Sequence, residues 1–556
     1  MKVIIVGGVA GGATAATRAR RLNEEAEIVL FERGFYVSYA NCGLPYYIGG
    51  QIENRDDLFI SSPERLRARY RIDVRTSQEV IEIHPKRKQV TVKDNTSGEI
   101  FEESYDKIIL SPGATPVRPQ LEGINLDRIF TLRDLPDSDS IKAYLEENNV
   151  GSAIVVGGGP IGLETAENLS GQGLAVTIIE RLNQLMPPLD SEMAAIIHRH
   201  LRDQGISLHL GDGIKSFRKV GDRIIVSTEK GKELLTDMVL LAIGVKPEKQ
   251  LAEKAGLDIG QKGGISVDDM LCTSDSNIYA IGDAIEVEDY ILAEKVLIPL
   301  AGPANRQGRT SADNVMGRRS EFGKVLGTNI TRIFGLAAAS TGNNEKILRQ
   351  HNSPFLKSFT HSFDHATYYP GAKLLSIKLI FAPGTGKILG AQVIGESGVD
   401  KRIDVLATAI KAGMTVHDLE NLELAYSPQY GAAKDPINVA GFVAGNILKG
   451  DVQIVHWDEL EELDMDTYQL LDVRTWEEVK QTGIIKNGIH IDIDLLRDNL
   501  AMLDRNRIYI SYCTVSLRGY IAYRILVQNG FKAKILSGGL ETWTPLQEDR
   551  AERSTY

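Results

Sequence analysis

Short β-branched runs, each closed by glycines and followed by a helical stretch, recur along the chain and predict alternating strands and helices. Lys2 to Val6 is one such run. Gly7-Gly8-Val9-Ala10-Gly11-Gly12 follows it, and an Ala/Arg-rich helical stretch continues through Leu22. The next strand, Glu27 to Phe31, ends at Glu32. The same order returns with a strand at Ile154 to Val156, the turn Gly157-Gly158-Gly159-Pro160-Ile161-Gly162, a helix through Leu169 and a strand at Val176 to Ile179 that ends at Glu180. From 326 to 447 the pattern changes: strands such as Leu374 to Phe381 and Ile388 to Ile394 alternate with a helix near Arg402 to Ala412. A last block of about a hundred residues, the size of a small domain, begins beyond Gly450-Asp451. In it Leu470 to Arg474 and Ile508 to Tyr512 read as buried strands, and Tyr520 to Gln528 as a helix. The predicted class is α/β.

Composition narrows the function classes. The 556 residues suggest about three to four domains. A hydrophobic content of 43% with 25% charged residues is ordinary for a globular protein. The net charge of −11 is spread along the chain and argues against nucleic-acid binding. No apolar window approaches the roughly 20 residues of a membrane span. The N-terminal run ends in glycines and reads as a first strand, not a secretory leader. Three cysteines in so long a chain exclude a disulfide scaffold and fit a reducing cytosol, so a cytoplasmic location is expected. Nothing calls for a metal.

The two glycine turns carry the first chemistry. A strand, a tight turn and a helix N-terminus offer free N–H groups to a pyrophosphate. Gly7 and Gly12 frame the first turn, although Val9 replaces its middle glycine; Gly157, Gly159 and Gly162 complete the second. Glu32 and Glu180 stand where a carboxylate accepts from ribose hydroxyls. At Glu180 that favours NADH and repels the 2′-phosphate of NADPH, with Arg181 alongside weakening the preference. Two such units suggest one bound flavin dinucleotide and one exchanging nicotinamide dinucleotide.

Further segments complete a resemblance. Ser111-Pro112-Gly113-Ala114-Thr115-Pro116 and Ala242-Ile243-Gly244-Val245-Lys246-Pro247 look like turns linking two nucleotide domains, and Ile278-Tyr279-Ala280-Ile281-Gly282-Asp283-Ala284 looks like a second flavin motif. Over residues 1 to 447 the chain resembles the pyridine nucleotide-disulfide oxidoreductases. The resemblance implies two Rossmann-like domains, with FAD on 1–115 and 245–325 and NAD(P)H on 116–244, and an α+β dimerisation domain over 326–447. It also implies a homodimer, with Ala114 and Asp283 contacting FAD. Cys42 lies in Ser38-Tyr39-Ala40-Asn41-Cys42-Gly43-Leu44-Pro45-Tyr46-Tyr47 without the second cysteine of a C-x4-C pair, so it must cycle through a mixed disulfide or a sulfenic acid. That context is similar to coenzyme A-disulfide reductases and their NADH oxidase and persulfide reductase relatives. Carried over, the resemblance implies coenzyme A contacts from Ser38, Asn41, Arg18 and Arg21, and from Asn305 and Arg309 of a partner subunit. It also implies tyrosines over the thiol, Tyr369 of the pair Tyr368-Tyr369 and Tyr430 of Tyr426 and Tyr430. Cys42 is expected at a helix start, where a thiolate is stabilised. Cys272 reads as inert.

The C-terminal block, 452–550, resembles a rhodanese domain. The resemblance is carried by Asp472-Val473-Arg474, Cys513-Thr514-Val515-Ser516-Leu517-Arg518-Gly519 and Leu536-Ser537-Gly538-Gly539-Leu540-Glu541-Thr542-Trp543. Its loop would aim N–H groups at Cys513, with Arg518 adding positive potential. Ser516 stands where many rhodaneses have glycine, and Gly483-Ile484-Ile485 where Gly-His-Ile is usual. Together these imply a reductase of coenzyme A persulfide, polysulfide or disulfide that uses FAD, NADH and coenzyme A, with Cys513 handling sulfane sulfur. The alternatives are an NADH oxidase or peroxidase, a sulfurtransferase, or a redox-regulated interaction protein.

Overall fold

The computed structural model describes residues 1–460 and 462–554 and divides them into two compact units, 1–183 with 211–327, and 184–210 with 328–554.

In the first unit the apolar run Lys2–Val6 is the middle strand of a parallel sheet. Glu27–Glu32 and Asp73–Thr76 lie on one side, Lys107–Leu110 and Ile278–Ala280 on the other. Val3, Ile4 and Ile5 are fully buried, as expected of a strand covered on both faces. A second parallel sheet is built on Ser152–Val156, flanked by Ala175–Glu180 and by Met238–Leu241, which pairs with Ile129–Thr131. The two linking segments meet as an antiparallel pair, Ala114–Pro116 with Val245–Pro247. The helix Ala10–Leu22 lies against Ala301–Val315 at backbone distance: a Cβ on Gly308 would collide with the Gly11 carbonyl oxygen.

In the second unit five antiparallel strands run in the order Asn329–Ile333, Leu336–Gly342, Ile388–Gly395, Leu374–Phe381, Leu356–Phe363. Ile388–Gly395 is buried throughout. A buried charge cluster interrupts this core. Lys378 bonds Asp190 at 2.8 Å and pairs with Glu192 and Glu345. The surrounding carboxylates raise the Lys378 ammonium above its usual range despite burial, as opposite charges in a dry site must. A parallel sheet follows, in the order Ile454–Val455, Lys532–Leu536, Ile508–Tyr512, Tyr468–Asp472, Ile489–His490. The helix after Cys513 starts at Leu517, three residues before the expected start, and ends at Gln528 as expected. The closing helix Gly539–Ser554 packs on Ser191–Asp203 through Asp549, which accepts from His198 at 3.0 Å and Arg202 at 2.9 Å. Among the described residues no helix is long and apolar enough to cross a membrane.

Candidate functional site: two nucleotide turns and two thiols

The first turn is too tight for any side chain where the helix begins. A Cβ on Gly12 would collide with the Gly7 carbonyl oxygen, and Gly7 itself has φ +97°, a conformation that favours glycine. Glu32 folds back across the turn: its carboxylate accepts from the N–H groups of Gly8 and Gly34, each at 2.9 Å. The second turn repeats the construction. Gly162 lies against the Gly157 carbonyl, and Glu180 accepts from Gly158 at 2.8 Å and Leu182 at 2.7 Å. Gly159 has no heavy atom within 4 Å of where a Cβ would stand, so that helix entry is open. Glycine-lined cradles at the starts of long helices, with a carboxylate across each, fit two dinucleotides. Asp283 lies in the turn Gly282–Ala284; burial pushes its carboxyl up while Arg133 pulls it down. Ala114 is buried.

Cys42 stands at a helix start as expected, but its surroundings do not favour the thiolate. It lies in the single 3-10 turn Asn41–Gly43, and the helix beyond, Leu44–Ile48, has only five residues. Little helix dipole is available from so short an element. Cys42 reaches solvent, yet packing around its sulfur pushes the thiol up, and Glu164 and Asp283 push the same way. Tyr46 is raised to about 12 by burial and then by Glu164. Glu164 is on the helix Pro160–Gly171 that follows the second glycine turn. The sequence reading missed it because no local motif links it to Cys42. Ser38 is buried at φ +50°, and Asn41 donates to the Arg133 carbonyl at 3.2 Å.

The other coenzyme A candidates divide by accessibility. Arg18 is tied to Asp313 by bonds of 2.7 and 2.8 Å and is largely covered. Arg21, Asn305 and Arg309 are exposed, and Asn305 accepts from Thr14 at 2.6 Å. In the second unit the tyrosine segments meet. Tyr368 and Tyr426 share a hydroxyl bond of 2.7 Å, and Gln429 donates to the Tyr369 hydroxyl at 3.3 Å. Tyr369 and Tyr430 both reach solvent, Tyr430 at 71% exposure. Cys272 is half-buried, and burial raises its thiol.

Cys513 is fully buried at the end of Ile508–Tyr512. Its carbonyl accepts from Leu540 at 3.1 Å, and that of Thr514 from Glu541 at 3.0 Å, so the start of the closing helix clamps the loop. Ser516 takes φ +72°, the left-handed conformation that suits glycine, and its hydroxyl donates to the Leu536 carbonyl at 3.2 Å. The replacement of glycine thus keeps the turn at a cost of about 1 kcal/mol. Arg518 is not a free cation. Both its terminal nitrogens bond Glu478 at 2.6 Å, and Glu478 also accepts from Thr514 and Thr475. The Arg518 pair leads the causes that hold the Glu478 carboxyl down to about 2. Arg474 is likewise spent on buried Asp472. Behind the loop, His361 bonds Thr542 at 2.9 Å and Ser376 at 2.8 Å. Beside Thr514 a cavity of about 360 Å³ opens, bordered by Glu478, Ile484, Ile485, Trp543 and Arg199. Glu478, His361 and Arg199 escaped the sequence reading because only tertiary packing brings them to Thr514, Thr542 and the cavity.

Residues 1–308 match the pyridine nucleotide-disulphide oxidoreductase family, 329–435 its dimerisation domain and 456–545 the rhodanese-like domain. The NADH oxidase of Methanocaldococcus jannaschii is 36% identical over 79% of the chain and 98% of its own length. The coenzyme A disulfide reductase of Staphylococcus aureus (strain JH9) is 37% identical over 80% and 99%. Among solved structures, reduced CoADR-RHD of Bacillus anthracis superposes with a TM-score of 0.96 at 46% identity, covering 99% of this chain and 98% of that one. The NAD-dependent persulfide reductase of A. fulgidus gives 0.93 at 37%, covering 98% and 100%. The chain belongs to the pyridine nucleotide-disulphide oxidoreductase family.

Proposed function

We propose that this oxidoreductase is a cytoplasmic homodimer that reduces coenzyme A persulfide or coenzyme A disulfide at Cys42, with Cys513 accepting or handing over sulfane sulfur. The observation that carries the reading is the joining of two carboxylate-bearing nucleotide cradles to one unpaired thiol, with a second, clamped thiol in the same chain. The turn at Gly7 to Gly12 with Glu32, Ala114 and Asp283 would hold FAD, and Gly157, Gly159, Gly162 and Glu180 would hold NADH. Bound, these groups supply two electrons at a time. Glu180 orients the nicotinamide nucleotide by its ribose and disfavours a 2′-phosphate.

The Cys42 thiolate attacks the inner sulfur of coenzyme A persulfide, forming a Cys42–coenzyme A disulfide and expelling HS⁻. Two electrons and protons then return both thiols. The sum is CoA–S–SH + NADH + H⁺ → CoA–SH + H₂S + NAD⁺. Ser38, Asn41, Arg21 and Arg18 border the coenzyme A path; Asn305, Arg309, Tyr369 and Tyr430 reach it from the second subunit. A tyrosine hydroxyl there donates to the departing sulfur. At the other thiol, Cys513–S⁻ takes the outer sulfur of R–S–SH to give Cys513–S–SH and R–S⁻. The presence of the rhodanese-like domain favours persulfides over plain disulfides, because disulfide reduction needs no sulfur carrier. The domain bounds that go with this reading are 1–115 with 245–325, 116–244, 326–447 and 452–550.

The test is a mass measurement of the Cys42 peptide from non-reduced protein, paired with sulfide release under NADH. A coenzyme A adduct and one sulfide per NADH are expected. Oxygen or peroxide consumption outrunning sulfide release would instead favour the NADH oxidase chemistry named for the Methanocaldococcus jannaschii relative.

A further inference from the structure

The cavity beside the Cys513 loop is not made by the rhodanese-like domain alone. Thr514, the residue after the thiol, stands on its wall together with Glu478, Arg474 and Glu541, and Ile484, Ile485, Leu540 and Trp543 give it an apolar side. One lining residue comes from far earlier in the chain: Arg199, on the helix Ser191–Asp203. That helix is fixed in place by its neighbours. His198, adjacent to Arg199, is wholly buried; it accepts from Leu185 N–H at 3.0 Å and bonds Asp549 on the closing helix at 3.0 Å.

The charges on the wall decide what the cavity can take. Glu478 is spent on Arg518, Thr514 and Thr475. Arg474 is spent on Asp472, Thr482 and the Gly483 carbonyl. Arg199 and Glu541 remain. Burial pushes the Glu541 carboxyl up, toward its neutral form, and Arg199 only partly opposes this. The contact of Arg199 with Glu548 is 3.4 Å long, with both side chains nearly half exposed, and such pairs hold weakly. The guanidinium is therefore the charge available to a ligand. At about 360 Å³ the space is of the size that takes small organic molecules, far more than a small inorganic sulfur oxyanion fills.

We infer that this cavity is the docking site for an organic thiol or persulfide that carries an anionic group away from its sulfur, and that Arg199 is the specificity-determining residue that holds that group. The apolar wall takes the body of the carrier, and the sulfur is directed to Thr514 and the thiol before it. The inference rests on reading Cys513 as the sulfur-accepting thiol. The transfer itself is the exchange written above, with R–S⁻ leaving.

The test uses the full chain and two donors of similar size, the persulfides of 3-mercaptopropionate and of 2-mercaptoethanol, reading the rate of Cys513 persulfidation by mass. Cys513→Ala is run beside it as the control in which the persulfide mass shift should vanish. Arg199→Ala is expected to raise KM for the carboxylate donor about tenfold with kcat unchanged, the loss of one hydrogen-bonded charge contact, and to leave the hydroxyl donor unaffected. Arg199→Lys is expected to retain most of the discrimination. Equal changes on both donors, a fall in kcat shared by both, or no change at all would overturn the inference while leaving Cys513 as the acceptor. Absence of a persulfide mass shift on Cys513 with either donor in the unsubstituted protein would remove the reading of Cys513, and this inference with it.

Discussion

The two thiols are built on opposite principles. Cys42 reaches solvent from a single 3-10 turn, and its charged neighbours are carboxylates that discourage ionisation. Cys513 is sealed at a strand end, clamped by two backbone bonds, with Arg518 close by but already paired to Glu478. A reactive sulfur is usually recognised by the cations around it. At Cys42 burial and then carboxylates set the thiol, whereas at Cys513 Arg518 faces both the thiol and Glu478. At Cys42 the protein supplies access and position; at Cys513 it supplies shape and a cation shared with Glu478.

Removing each thiol in turn should separate the two sites most sharply. Cys42→Ser should lower NADH-dependent reduction of coenzyme A persulfide by at least about a thousandfold, since it removes the thiol that forms the mixed disulfide, while persulfidation of Cys513 survives. Cys513→Ala should do the reverse, sparing coenzyme A disulfide reduction. Stopped-flow rates and intact mass check both; a shared loss would mean one site, not two.

Next in size, Gly12→Ala forces a methyl into the Gly7 carbonyl. The protein should purify with most of its yellow chromophore lost, read from absorbance, and transfer at Cys513 should be retained. Acidification probes the other side. His361 behind the Cys513 clamp is held down to about 4 by burial. The unfolded chain therefore takes up this proton first, and the stability His361 contributes is complete above about pH 6.5 and is lost as pH falls toward 4. Each unit in that window costs up to about 1.4 kcal/mol. Thermal unfolding followed from pH 7 to 5 should show the loss, and His361→Gln should flatten it.

The smallest effect sharpens the Cys42 side. Glu164→Gln removes a charge that opposes the thiolate, so alkylation of Cys42 at pH 7 should quicken severalfold, with the rate–pH midpoint moved down. An unchanged midpoint would show that packing and Asp283 set it without Glu164.

What could be read in the sequence follows the reach of each interaction. The glycine turns and their terminal carboxylates lie within about 25 residues of one another, and local spacing carries them. The loop Cys513 to Arg518 is a contiguous motif, and even its odd residue, Ser516, was visible as a departure that the structure accommodates at φ +72°. The helix start at Cys42 was legible, but not its length: Leu44–Ile48 is too short to carry much dipole. Glu478 with Arg518, His361 with Thr542 and Lys378 among Asp190, Glu192 and Glu345 span 33 to 188 residues. Periodicity does not report pairs that only the folded chain brings together.

The backbone contact of Gly11 with Gly308 has a consequence for how the molecule is made. The opening strand and helix leave the ribosome nearly 300 residues ahead of the segment that must cover them. At about 5–20 residues per second that interval is roughly 15–60 s. For that time the face of the helix Ala10–Leu22 that Ala301–Val315 covers in the folded protein waits without its partner.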